Sequence, residues 1–396
     1  MANDAEQRSR ITFRYDLVRG SCQGVLEAGI QTFVILIAVR VFDASPAMKA
    51  LLAGAGPYGL LLTPVSLYAV SRLRSPAARA AGFFLVLACL ALLVSAWTGN
   101  LYVFVITTVL GYLLMHQQVP FMVHIYSDNY ASRRRGSLLS NSIFLAVLAS
   151  ALFAYAGGKV LDANLDHYRF IMLTLAVACL VSAWAVVRMP STPLSSQHTR
   201  NPFANLSLAW KDKVFGWMLF IWMLMGIGNL MTLPLRVEYM AQPRFGIEAT
   251  NAQIALMTAV IPSVARLLTT HLWGYLFDRL NFVIIRTALN SCFLIAILLF
   301  FNFQSLIALG IASAIFGVGA AGGNIAWNLW VTKLAPEGRA ADYMSVHTFT
   351  TGIRGVLAPF LGFYLIAAYP APAVAWVAAF LIGISIVGLG RVRNSF

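Results

Sequence analysis

Glu27 is the acidic residue of the apolar run at 17–40, with Gln23 and Gln31 one helical turn to either side of it. The i, i+4, i+8 spacing puts all three on one stripe of a helix. At 1.5 Å per residue, ten residues of helix place the carboxyl about 15 Å deep in the run. An ionisable group at the centre of a bilayer costs about 2.5–3.5 kcal/mol, so it calls for a partner or a function. The stripe therefore either lines a polar pathway, where Glu27 holds a proton or a cation, or forms a structural ladder of hydrogen bonds. Two arginines stand in comparable settings. Arg266 has Thr270 one turn on, and Arg354 shares a face with His347 and Thr351. A guanidinium offers a forked donor that matches a carboxylate or another oxyanion. Each arginine could meet an anionic solute or pair with Glu27. His116, Gln117 and Gln118 follow one another ahead of Pro120 and His124. An imidazole changes charge near neutral pH, so His116 suits proton relay, or else it is a hydrogen-bonded interior histidine. Asn324 and Asn328 share a helical face, and Asn229 closes the stretch Gly226-Ile227-Gly228-Asn229; these are weaker candidates.

The elements that must position these groups are membrane helices. The chain is 60% hydrophobic and 11% charged, against roughly 25% charged in a soluble domain. Apolar runs near 17–40, 48–71, 79–97, 101–126, 137–161, 168–188, 214–240, 250–277, 282–301, 304–332, 342–368 and 371–390 each match the ~20 residues a helix needs to span a bilayer. They are too long and uniformly apolar for barrel strands. The expected fold is all-α and integral to the membrane: twelve transmembrane helices in two pseudo-symmetric six-helix bundles, at 1–189 and 214–396. The polar stretch 190–213 reads as a cytoplasmic linker, in which Phe203, Leu206 and Trp210 suit either a short helix in the headgroup region or a disordered segment. With the N-terminus inside, 20 of the 28 Lys and Arg fall in inner segments, Arg286 among them. Basic residues are retained on the cytoplasmic side, so both termini are expected there, in an inner membrane. Arg134 and Arg339, Phe144 and Phe349, and Gly157 and Gly362 each lie 205 positions apart, a mark of internal duplication.

Composition also excludes. A net charge of +14 spread over short tracts is not the stripe or patch that nucleic acid needs. Four isolated cysteines, Cys22, Cys89, Cys179 and Cys292, offer neither disulfide nor metal spacing. No removable signal peptide is expected. Gly54-x-Gly56-x-x-Gly59 and Gly317-x-Gly319-x-x-Gly322 spell a dinucleotide fingerprint inside apolar spans, where small residues serve close helix packing instead. No cofactor or metal is expected.

After the eighth span stands Gly274-Tyr275-Leu276-Phe277-Asp278-Arg279, which resembles the G-x-L-x-D-R loop motif of the major facilitator superfamily. The segments at 132–144 and 335–349 look like the paired basic loops before spans five and eleven of that family. The resemblance implies two bundles that rock about a central site, with Gly274, Asp278 and Arg279 forming a charge latch for one of the alternating states. It also implies that spans eight and eleven border the cavity, so that Arg266 and Arg354 would leave it net positive. The matching first-half loop at 67–74 keeps its arginines but lacks the glycine and aspartate, so a latch is expected at one loop. The Gly-Pro motif of drug exporters is missing from span five, where Phe153-Ala-Tyr-Ala-Gly157-Gly158 stands. The expected function is secondary active transport of a small solute by alternating access, with a small organic anion favoured and proton coupling through Glu27 or His116. The chain is expected to act as a monomer in the lipid bilayer and not as an enzyme. A hydrophobic-drug exporter of the same fold is the alternative, suited by the Met-rich and aromatic run at 217–225. A receptor or membrane-embedded enzyme fits less well, because the intramembrane polar residues are scattered and no large extramembrane domain is evident.

Overall fold

The computed structural model of this chain describes residues 2–193, 204–336 and 339–395. Among these residues eleven helices are long and apolar enough to cross a bilayer, and a bent pair supplies a twelfth span. In chain order they are α1 Asp4–Arg40, α2 (Pro46–Ala53 and Ala55–Arg72, bent by 49°), α3 Ala77–Trp97, α4 Leu101–Asn129, α5 Arg134–Ala163 and α6 Leu165–Val187. The second set is α7 Lys213–Ala241, α8 Asn251–Arg279, α9 Phe282–Asn302, α10 Leu306–Trp327, α11 Asp342–Ala368 and α12 Ala371–Val392. The all-helical, twelve-span architecture expected from hydropathy is thus observed.

Packing repeats with a shift of six helices. Within the first set α1 lies on α5 and α6, α2 on α4, and α3 on α4 and α6. Within the second, α7 lies on α11 and α12, α8 on α10, and α9 on α10 and α12. Two contacts joining the halves obey the same rule, α5 on α8 and α11 on α2. The duplicated glycines play equivalent parts. A Cβ on Gly157 of α5 would strike Phe33 of α1, and one on Gly362 of α11 would strike the Met231 backbone of α7. Without side chains there, α5 and α11 approach their partners closely enough for dense van der Waals packing, the main glue between helices in lipid.

The helices depart from ideal geometry at particular residues. α1 widens into a π-helical turn at Gly29–Phe33, and α8 into another at Leu256–Val260. α2 bends where Gly54 ends one segment and begins the next. The first helix starts at Ala2, well before the apolar run, because its polar first turns extend beyond the hydrophobic stretch. In the linker, Phe203 lies outside the described residues. Ala204–Ser207 forms a 3-10 turn and Leu208–Lys211 a single helical turn, with Leu208 buried on the second bundle and Trp210 81% exposed.

The two halves meet mainly at the end of the molecule remote from the chain termini. There Lys49 at the start of α2 donates to Glu238 of α7 at 2.7 Å, with both side chains buried. Arg40 at the end of α1 donates to the Asn251 side chain and to the Ala249 carbonyl. The Asp162 carboxylate of α5 accepts from the backbone amides of Asn251 and Ala252, capping the start of α8. Gly158 of α5 lies so close to Ala252 that a Cβ would fall 2.6 Å from its Cα. Toward the termini α2, α5 and α8 instead carry exposed side chains, including Val65, Tyr68, Phe144, Leu268 and Tyr275.

Candidate functional site

The contact between halves gives out near mid-span, where the two π-helical turns face one another. The Thr32 and Thr258 hydroxyls, one from each turn, lie 2.8 Å apart. A π-turn breaks the regular i to i−4 ladder and redirects the side chains beside it, which is why such turns recur at functional sites. Five residues before Thr32, toward the termini, stands Glu27; eight residues after Thr258, in the same direction, stands Arg266. Their side chains approach to 3.6 Å and remain 33% and 22% exposed. Gln31 is exposed and donates to the Glu27 carboxylate at 3.0 Å. Gln23 accepts from Gln118 of α4 at 3.3 Å. Thr270 is exposed, and its hydroxyl returns to the Arg266 carbonyl. Thr32, Thr258, Glu27, Gln31 and Arg266 thus mark where the contact between the halves ends and a gap between them begins.

The other candidates fall into two groups. Gln117 is buried at the break of α4; its amide donates to the Gly59 and Leu113 carbonyls and its oxygen accepts from Ser66. It ties α4 to α2. His116 bonds the Tyr112 carbonyl and fits against Gly56 and Gly59, where any Cβ would collide with it. The small residues of that glycine-rich stretch therefore make room for an imidazole. Asn324 is exposed on α10, and the Asn328 side chain lies outside the described residues. Asn229 lies one turn past Gly226, with its side-chain oxygen buried and unbonded among the described residues.

Arg354 and His347 belong to a different place from Arg266. Arg354 is 5% exposed and lies flat across Gly226 of α7, where a Cβ would meet its side chain at 2.4 Å. Its guanidinium donates to the Trp222 carbonyl and to the Thr351 hydroxyl. His347 is fully buried among Trp222, Trp327 and Trp330, with ring centroids 4.9, 5.4 and 5.2 Å away. Both residues are packed inside the second bundle, so the two arginines do not converge on one point of the gap. Arg286, counted in the sequence with the inner segments, lies in α9, 2% exposed, with its guanidinium 3.7 Å over the Trp222 ring. Its position four residues into the span was the available signal; a basic residue so near a span end reads as a snorkelling side chain. Arg236, counted with the outer segments, is likewise buried and stacked on Phe316 at 3.7 Å.

The residues of the expected latch make no ion pair among the described residues. Asp278 is exposed, Arg279 stacks on Tyr275 at 4.2 Å, and a Cβ on Gly274 would meet nothing within 4 Å. No neighbouring helix packs against Gly274 here. The aromatic run at 217–225 does not line the gap as one surface either. Trp217 and Phe220 flank an outward-facing apolar groove between α7 and α12 of about 510 Å³, while Met218, Trp222 and Met225 are buried in the bundle. Among the described residues no group of three or more His, Cys, Asp or Glu could hold a metal ion, and the four cysteines are unpaired.

Comparison with known proteins agrees with this architecture. The family model of the Major Facilitator Superfamily matches residues 20–359. Among solved structures, a mutant of the nucleoside transporter NupG superposes with a TM-score of 0.78 at 12% identity, covering 98% of this chain and 100% of that one. A D-xylose-proton symporter superposes at 0.69 and 14% identity, covering 96% of each chain. The xylose transporter XylE from E. coli, in a partially occluded inward-open conformation, gives 0.69 at 15% identity over 98% of this chain and 97% of that one. No curated protein matches the sequence.

Proposed function

The chain belongs to the major facilitator superfamily and is a secondary transporter, and from that premise we propose that it carries a small polar solute through the gap between its halves, coupled to protons. The reading rests above all on the Glu27–Arg266 pair, which joins the two halves where their contact ends and stays open to solvent. An ionised Glu27 attracts the guanidinium. Opposite charges at this separation interact by between about 1 kcal/mol, for exposed pairs, and about 4 kcal/mol at an effective dielectric of 20. Protonation leaves a neutral acid and removes most of that attraction. A link of this size between rocking bodies is enough to bias which end is open. The excess of basic residues at the termini end supports a cytoplasmic location for both termini in an inner membrane, with the gap facing the cytoplasm.

A single-cysteine reporter tests the coupling. Thr250→Cys at the closed end, in a background with the native cysteines replaced, is labelled by a membrane-impermeant maleimide in neutral and in mildly acid buffer. The labelling rate, corrected for maleimide reactivity with a free thiol at each pH, is expected to change with pH in the parent. In Glu27→Gln it should stay fixed, because the glutamine cannot ionise. A wild-type pH response in Glu27→Gln would overturn the role of this residue. The solute itself is sought by thermal-shift screening of the purified protein, where a ligand at about 100 times its dissociation constant adds roughly 2.7 kcal/mol.

A further inference from the structure

Buried arginines in this protein are treated in two ways. In the first half Arg19 meets the buried Asp16 carboxylate at 2.8 Å, and Tyr126 donates to the same carboxylate at 2.6 Å. In the second half Arg286 of α9 and Arg354 of α11 lie against the same tryptophan, with guanidinium carbons 3.7 and 5.6 Å from the Trp222 ring centre. Among the described residues neither arginine has a carboxylate partner. The acidic residues of this half, among those described, are engaged or remote: Asp212 with Tyr343, Glu238 with Lys49, Asp342 with Arg339, and Glu248 and Asp278 exposed near helix ends. Around Trp222 a set of buried hydrogen-bond groups also lacks partners among the described residues. It comprises Nη2 of Arg286, Nε of Arg354, the indole Nε1 of Trp222 and of Trp330, and both ring nitrogens of His347.

Two cations, two indole N–H groups and an imidazole, all at most 5% exposed, make a donor-rich setting whose positive charge meets no carboxylate among the described residues; the Trp222 carbonyl and the Thr351 hydroxyl accept from Arg354 alone. Like charges confined together in a low dielectric repel unless an anion lies between or beside them. Arg236, the other buried arginine without a carboxylate in contact, differs in kind. It is a single guanidinium held between Phe300 and Phe316. We infer that the second bundle contains an anion site centred on Trp222, in which Arg286 and Arg354 together hold one compact negative group. That group is either the carboxylate of the transported solute or an inorganic anion such as chloride. The first source rests on the transport reading above; the second does not. Gly226 is part of the site, since only a residue without a side chain lets Arg354 lie across α7.

The test is thermal stability and tryptophan fluorescence of the full-length purified protein, titrated with sodium chloride, acetate or benzoate at fixed ionic strength. The parent is expected to show a saturable response to at least one of these anions. In Arg286→Gln the half-saturating concentration should rise roughly 30-fold or more, as when one partner of a buried charge pair is truncated. Arg391→Gln, at an exposed arginine stacked on Trp217, should titrate like the parent. Saturation by chloride alone assigns a resident inorganic anion, and saturation by the carboxylates alone assigns the solute. No saturable response in the parent, or an unchanged half-saturation in Arg286→Gln, overturns the site. Should Arg286→Gln not fold, Trp222→Phe keeps an aromatic ring in the same cluster but removes the indole N–H and part of the surface the arginines lie against, and an unchanged half-saturation there, read by thermal stability, overturns the site equally. None of these readouts depends on Glu27, so failure here leaves the coupling proposal standing, and the reverse holds as well.

Discussion

The two ends of this molecule are built from similar residue types and use them differently. At the end remote from the termini, Lys49 and Glu238 are buried in contact, Arg40 reaches across to the start of α8, and Asp162 caps that helix from the other half. At the termini end the corresponding charges face solvent. Asp278 has no ion-pair partner among the described residues, and Arg279 and Arg72 each stack on a tyrosine one turn back in their own helix. Closure in this fold therefore depends on bonds across the interface and not on apolar matching alone. Lipid-exposed and cavity-exposed faces are both rich in hydrophobic side chains, so polar contacts, together with the close fit of Gly158 on Ala252, distinguish one docking from another.

This contrast is most exposed to disruption at Lys49. Lys49→Ala leaves the Glu238 carboxylate buried with only Arg244 near it, at 3.6 Å, and breaking a buried pair in this way costs about 3–5 kcal/mol. Unfolding midpoints in detergent should fall accordingly, while Lys49→Met with Glu238→Leu should recover most of the loss. A cost below about 1 kcal/mol for the single change, within the range of exposed pairs, would mean the pair does not hold this end. Gly158→Val should have the next largest effect. Its added carbons meet the α8 backbone at Ala252, and overpacking of this kind costs about 1–3 kcal/mol. The variant should open the closed end, seen as faster labelling of a Thr250→Cys reporter. Asp278→Asn should have the smallest. An exposed residue without an ion-pair partner should change stability by no more than about 0.5 kcal/mol; a larger loss in the same unfolding assay would show that the termini end is held by contacts of its own.

Much of this was legible in the sequence because the strongest physical constraint, twelve apolar runs of membrane-crossing length, is local. Glu27 and Arg266 stood out for the same reason, as charges in places where charge is expensive. What the sequence left open was which arginine Glu27 would meet, since Arg266 and Arg354 look alike along the chain and are separated only by the packing of α7 on α11. The burial of Arg286 was not legible because a basic residue one turn from a span end usually reaches for solvent; here its guanidinium lies over the Trp222 ring instead. The π-turns at Thr32 and Thr258 carry no composition signal. They lie where α1 meets α8, a contact between non-adjacent helices.

If the halves are closed at one end and open at the other, and exchange the two as one motion, distances at the two ends must change in opposite senses. Double electron–electron resonance in nanodiscs reads this directly, with one spin-label pair at Lys159 and Gln304 on the closed end and another at Leu73 and Leu280 on the open end. Both pairs place their labels on exposed residues. A short distance is expected for the first pair and a long one for the second in neutral buffer. On mild acidification the first should lengthen as the second shortens. Two distances that stay fixed, or that change in the same sense, would contradict the rocking of two halves about a proton-sensitive pair.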